Sequence, residues 1–165
     1  MPKRSAGLLP FRVAADGALD VFVVHPGGPF WATRDEGAWS VAKGEYGDDE
    51  EPLSAAEREF AEEVGVEGPP GPRIDLGEVG QSNGKRVRVW AVEAPSFEVD
   101  RVISNEFEME WPPKSGRMRS FPEVDRAEWM STETAGLRLI RAQRALLDRL
   151  AIHFGATGTD PVDPG

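Results

Sequence analysis

The spacing of apolar positions divides the chain into strands, a helix near its centre and a helix at its end. Residues 19–25, Leu-Asp-Val-Phe-Val-Val-His, are rich in β-branched side chains and read as a buried strand. Residues 5–13 form a first strand, and Pro10 within it predicts an edge or bulged position, because proline cannot donate to a ladder. Ala14-Ala15-Asp16-Gly17 is the turn between them. Residues 74–79 and 86–93 are two more strands, joined around Ser82-Asn83-Gly84, whose Asn-Gly pair signals a hairpin. Residues 106–111 alternate as a half-exposed strand does and stop at Pro112-Pro113. Residues 123–130 contain a last strand, with Trp129 expected in the core.

Helical spacing replaces this alternation in two places. Leu53, Ala56, Phe60 and Val64 make one apolar stripe. Pro52 suits the first helical position, and Gly65 is placed for a left-handed cap. Residues 132–154 predict one C-terminal helix. Leu137, Ile140, Leu146, Leu147, Leu150 and Phe154 form its wide apolar face, and Arg138, Arg141, Arg144 and Arg149 its polar complement. Residues 155–165 are rich in Gly, Pro and Asp and are expected to be a disordered tail, leaving a single domain over 1–154. Strands before and after the central helix, then a closing helix, predict an α/β fold with one mixed sheet and helices packed on it.

Composition narrows the function. The formal net charge of −10 argues against a nucleic-acid binder, which more often carries a basic balance. No apolar run approaches the ~18 residues of a membrane span, and residues 1–10 lack the apolar core of a signal peptide. The chain has no cysteine, which excludes disulfides and thiolate metal sites and fits the cytoplasm. Oligomeric state is not legible.

The central helix carries the chemistry. Glu59, Glu62 and Glu63 stand at i, i+3 and i+4, so their carboxylates share a face beside the apolar stripe. Like charges at this spacing repel, and anions near a helix C-terminus oppose its dipole. A solvated acidic face accommodates such a cluster. A hard divalent cation offsets both penalties, and Mg²⁺ takes oxygen ligands shared with substrate phosphates. The spacing therefore points to a metal-assisted phosphate enzyme.

Residues 44–66 resemble the Nudix hydrolase signature, G-x5-E-x7-R-E-U-x-E-E-x-G-U, with U a bulky apolar residue. Gly44, Glu50, Arg58, Glu59, Phe60, Glu62, Glu63, Gly65 and Val66 fill its fixed positions without a gap. Phe60 stands where the family more often has an aliphatic residue. The resemblance implies an α/β/α sandwich and hydrolysis of a nucleoside diphosphate linked to another moiety. It implies Mg²⁺, with Mn²⁺ as a substitute, bound by Glu59, Glu62, Glu63 and the Gly44 carbonyl. Glu59 is a candidate general base, although family members differ on which acid serves. Arg58 would orient Glu59, and Glu50 would pair with Arg58 or support the metal shell.

Many members use a further carboxylate beyond the signature. Glu123 is the first choice here, with Asp125 and Glu128 as alternatives. Lys43 would contact phosphate or lie on the surface, and Trp31, in the long loop 26–40, would stack on a base or cover the core. Trp39 in the same loop is expected in the core. Lys85, Arg86 and Arg88 are read as a solvated edge, with a phosphate or partner contact as the alternative. The basic stretch 114–119 is a mobile surface loop or a contact for distal phosphates. Trp39-Ser40-Val41-Ala42-Lys43-Gly44 resembles the Trp-Ser-x-Pro-Lys-Gly run of diadenosine polyphosphate hydrolases, with Ala42 in place of proline. The tyrosine this group often carries beyond the signature is missing, since that stretch is Ser82-Asn83-Gly84. The proline that marks ADP-ribose enzymes is missing as well. Diadenosine polyphosphates come first as substrate and nucleoside triphosphates second. A Nudix-fold nucleotide-binding module without catalysis stands as the alternative of another class.

Overall fold

The computed structural model describes residues 3–158. Eight strands and three α-helices follow one another as β1 (Arg4–Val13), β2 (Leu19–Pro26), β3 (Ala42–Glu45), α1 (Pro52–Val64), β4 (Ile74–Gly80), β5 (Arg86–Glu93), β6 (Glu106–Glu110), β7 (Met118–Pro122), β8 (Val124–Ser131), α2 (Thr132–Arg138) and α3 (Arg144–Gly158), with a 3₁₀ turn at Arg141–Gln143. The main sheet runs β4-β5-β1-β2-β8, and β3 pairs with β1 as its sixth strand. It is mixed: β1 and β5 are parallel, and the other pairs are antiparallel. β6 and β7 form a separate two-stranded sheet.

The sheet is covered on both faces. One apolar cluster joins Ala6, Leu8, Phe22, Val24, Trp90 and Val92 to Ala56, Phe60 and Val64 of α1. The other joins Leu9, Phe11, Val21, Val23 and Val89 to Leu146, Leu147 and Leu150 of α3. Alternate residues of β1 and β2 thus feed opposite cores, as the period of two requires. This is the expected α/β/α sandwich. No helix among the described residues is long and apolar enough to cross a membrane.

The strand that holds Pro10 is neither an edge nor bulged there. β1 lies inside the sheet, paired along one side with β5. Along its other side it pairs with β3 through Ser5–Leu8 and with β2 through Phe11–Val13. The Phe11 carbonyl accepts from Ala94 N–H at 2.7 Å, so Phe11 faces β5 and the backbone of Pro10 faces the other way. Proline therefore occupies the gap where β1 changes partner, and its missing N–H costs no ladder bond. β5 is likewise interior. Lys85, Arg86 and Arg88 form ion pairs with Glu45, Glu78 and Asp75 rather than lining a free edge.

The expected single C-terminal helix is broken. Leu139 is extended and Ile140 is not helical, and the backbone here meets the 26–40 loop: Trp39 N–H donates to the Arg138 carbonyl and Ile140 N–H to the Trp39 carbonyl. Tertiary hydrogen bonds outweigh helix periodicity here. Leu137, expected on the apolar face, is 61% exposed as a result. Arg149 donates to the carbonyls of Leu76 and Glu78 instead of remaining a purely solvated complement. Trp129 is half-buried, its Nε1 donating to the Phe97 carbonyl and Arg12 lying over its ring. Trp39 is fully buried, as expected. Part of the expected basic loop 114–119 belongs to β7. The expected tail begins at Gly155, within α3, and residues 159–165 lie outside the described ones.

The helix α1 starts and ends where the sequence places it. Pro52 is its first residue, and Gly65 has φ 94° with its N–H on the Ala61 carbonyl. Phe60 is fully buried against Phe22 and Phe97, at centroid distances of 6.3 and 5.9 Å. Replacing Phe60 by Ala should destabilise the fold by about 3–5 kcal/mol. Urea unfolding followed by circular dichroism checks this, and a loss below ~1 kcal/mol would contradict the assigned role of the stripe.

Candidate active site

β3 and α1 bring the signature residues together. β3 holds Lys43 and Gly44 on the flank of β1, and α1 packs beside it. The contact requires glycine: a Cβ on Gly44 would land on the Glu59 carboxylate. Glu59, expected beside the apolar stripe, is thereby buried itself, at 9% exposure. The sequence spacing could not show this, because the covering strand β3 has too few residues to declare itself by alternation.

Arg58 organises the acids around it. Its Nε and Nη2 donate to the two oxygens of Glu50 at 2.8 and 2.9 Å, a bidentate pair. Its Nη1 donates to Glu59 at 2.8 Å and to both Glu62 oxygens at 3.3 and 3.2 Å. Nη2 also reaches the Glu45 carbonyl at 3.4 Å. The guanidinium holds Glu50 below the ordinary carboxylate range. Of the two expected partners for Glu50, Arg58 is the one observed.

Glu63 lies on the other side of the cluster. It accepts from the Lys43 N–H at 3.1 Å. Burial, reinforced by the charges of Glu59 and Glu123, pushes its carboxyl up to about 8. Glu59 is raised as well, mainly by burial and against the pull of Arg58. Burial also raises Glu123, with the charge of Glu62 adding to it. Burial holds the Lys43 ammonium below its ordinary value, so for Lys43 and Glu63 alike desolvation outweighs their mutual attraction.

A cavity of about 170 Å³ opens on this cluster, lined among others by Trp31, Ser40, Lys43, Glu63 and Glu123. Trp31 and Lys43 thus meet the acids in one place, with Trp31 38% exposed. Glu123 lies next to the cluster, whereas Asp125 is engaged by His25 at 2.8 Å and Glu128 faces Arg138. His25 is buried, and its other ring nitrogen lies 2.6 Å from the Arg34 carbonyl. It therefore ties the 26–40 loop, with Trp31, to the start of β8. The sequence offered no sign of that link beyond a lone histidine at a strand end.

Among the described residues, no three acids or histidines stand ready to hold a metal ion. Glu59 and Glu62 are both held by Arg58. The donor chemistry nevertheless fits a hard cation. Glu59 and Glu63 are oxygen donors raised chiefly by burial, and Gly44 lies against the Glu59 carboxylate. A cation would offset the buried charge that protons offset in its absence.

The family model of the NUDIX domain matches residues 12–150. Most of the chain is covered, and the chain belongs to the Nudix family. With the complete signature in place, its class is that of the Nudix pyrophosphohydrolases, enzymes that generally use divalent metals. Among solved structures, a C. elegans Ap4A hydrolase in a binary complex is 18% identical, covering 93% of this chain and 98% of its own, with TM-score 0.66. The NUDIX domain of Shewanella oneidensis NrtR, complexed with ADP ribose, is 15% identical over 93% of this chain and 88% of its own, with TM-score 0.63. RenU, a Nudix hydrolase from M. smegmatis, is 20% identical over 93% of this chain and 86% of its own, with TM-score 0.55. At these identities the likeness is one of fold. No curated protein matches the chain in sequence.

The raised Glu63 makes a prediction about the metal-free protein. Its folded value of about 8 lies above the ordinary 4.5, so the folded state binds the extra proton between them. That contribution to stability is complete below the ordinary value and is lost as pH rises through the folded one. Urea midpoints in the presence of a chelator should therefore fall between about pH 5.5 and pH 8. Lys43 acts with the opposite sign, so the comparison variant is Glu63→Gln, which should flatten the fall. An equal slope in both proteins would contradict the placement of Glu63.

Proposed function

We propose that this chain is a Mg²⁺-dependent Nudix pyrophosphohydrolase, with Mn²⁺ able to substitute, acting on a nucleoside diphosphate linked to another moiety. Diadenosine tetraphosphate is the first candidate, cleaved to ATP and AMP. The observation that carries the reading is the packing of Glu59 against Gly44 on the helix face that also bears Glu62 and Glu63, with Glu63 and Glu123 lining a cavity that Lys43 and Trp31 also line. The Trp39-Ser40-x-x-Lys43-Gly44 run supports the substrate.

Glu59, Glu62, Glu63 and the Gly44 carbonyl would hold the metal, with Glu123 adding a carboxylate from outside the signature. When bound, such an ion polarises phosphoryl oxygens and lowers the pKa of water. Lys43 would neutralise phosphate charge, and Trp31 would stack on a base. Water oxygen forms the new bond to phosphorus while the bridging P–O bond breaks and the leaving phosphate takes the electron pair. Glu59 is our choice to accept the water's proton. Arg58 fixes the orientation of Glu59, and Glu50 holds Arg58 by two hydrogen bonds.

A nucleotide-binding module without catalysis is the second reading, favoured by the Arg58 contacts that occupy Glu59 and Glu62. Glu59→Gln separates the two. Loss of a positioned base costs ~10²–10⁴-fold in rate, with little change in thermal stability because the shape is kept. Initial rates on diadenosine tetraphosphate, with Mg²⁺ and after chelation, check this. Full turnover without metal, or Glu59→Gln within about tenfold of wild type, would overturn the assignment. Faster release of pyrophosphate from nucleoside triphosphates would move the substrate to the second candidate.

A further inference from the structure

The β6–β7 hairpin sorts its residues by chemistry. Directly paired residues share a face. Phe107 pairs with Phe121 and Met109 with Arg119, while Glu106, Glu108 and Glu110 pair with Pro122, Ser120 and Met118. The Trp111 N–H donates to the Arg117 carbonyl at 2.9 Å and extends the ladder. One face thus presents aromatic rings, Met109 and arginine, and the other presents three glutamates. Among the described residues neither Arg117 nor Arg119 enters an ion pair. Arg119 lies instead over the Phe121 ring, at 5.8 Å.

The mixed face looks onto the loop that carries Trp31. A Cβ on Gly28 would press on the Phe107 ring at 2.9 Å, and one on Gly27 would land on the Pro122 carbonyl. Two adjacent glycines therefore let loop and hairpin close on each other. Phe30 meets Trp111 edge-on at 5.6 Å. Between the two segments lies a groove of about 480 Å³, walled by Pro29, Phe30, Trp31, Phe107 and Met109. It shares Pro26, Trp31 and Glu123 with the cavity at the acid cluster. The groove therefore begins at the proposed point of cleavage and runs outward along an aromatic wall.

We propose that this groove receives the second nucleobase of a dinucleoside polyphosphate. The inference rests on the function proposed above and names the part of the substrate that function leaves undefined. A flat aromatic group matches the aromatic wall, because ring faces and edges pair favourably. Arg119, on the same hairpin face, supplies cationic charge toward the phosphates beyond the cleaved bond, in a chain whose net charge is −10. A mononucleoside polyphosphate ends in a hydrated phosphate and gains nothing from Phe107 or Met109.

The test compares diadenosine tetraphosphate with adenosine 5′-tetraphosphate, which has the same number of phosphates and lacks the second nucleoside. With Mg²⁺, wild-type kcat/KM should favour the dinucleotide by about tenfold or more, within the range of one base–aromatic stack. Phe107→Ala should remove most of that preference through KM, and Met109→Ala part of it. Glu108→Ala, on the opposite face, should keep it. Thermal melts confirm that each variant is folded. No preference in wild type, or a Phe107→Ala loss equal on both substrates, overturns the proposal. If wild type hydrolyses neither compound, the proposed function fails, and calorimetric binding of the same two nucleotides decides the groove. Tighter dinucleotide binding that Phe107→Ala abolishes upholds it, and equal affinity overturns it.

Discussion

One guanidinium holds the acid cluster together. Arg58 places a single cation among Glu50, Glu59 and Glu62, and burial behind β3 keeps water from screening the group on one side. Its own proton is held more tightly than in free arginine, chiefly by the Glu50 pair. Without it, two carboxylates one turn apart would repel at the C-terminal end of a helix, where the dipole also disfavours them. The pairs are only partly buried, with the Arg58 side chain 39% exposed, so losing one partner costs stability modestly. Bidentate geometry makes arginine the fitting cation, since lysine has no planar fork.

The consequences reach the rest of the site. Arg58 neutralises part of the cluster and leaves Glu63 outside its reach. Burial chiefly raises the proton affinity of Glu63, and the charges of Glu59 and Glu123 add to it. Gly44 allows β3 to approach α1 closely enough for this burial. His25 and Asp125 fix the far side of the cavity by tying the Trp31 loop to β8. The arrangement buries carboxylates whose charge either protons or a divalent cation would offset. That is the physical link between the fold and metal-dependent chemistry.

Sequence pattern alone reached some of this and not the rest. The bounds of α1 were legible because proline at the start and glycine at the end act locally. The buried strand β2 and the 74–93 hairpin were legible for the same reason. The central place of β1 was not, because Pro10 is tolerated through a switch of partners that only the assembled sheet supplies. The break at Leu139 was equally hidden, since its cause is the backbone of Trp39 a hundred positions away in the fold's connectivity. In the site, the three glutamates and Arg58 follow from spacing within one helix. The nearness of Glu123, Lys43 and Trp31 depends on three separate loops and strands meeting. The aromatic face of the β6–β7 hairpin was written in the alternation of 106–111, but what it faces was not.

The carboxylates beside Gly44 are proposed to form a divalent metal site. Anomalous diffraction from a crystal of the full chain equilibrated with Mn²⁺ tests it most directly. A peak within bonding distance of the Glu59 and Glu62 carboxylates and the Gly44 carbonyl is expected, with Arg58 still held by Glu50 and donating to Glu59. A well-occupied Mn²⁺ elsewhere, with none at these carboxylates, would contradict it.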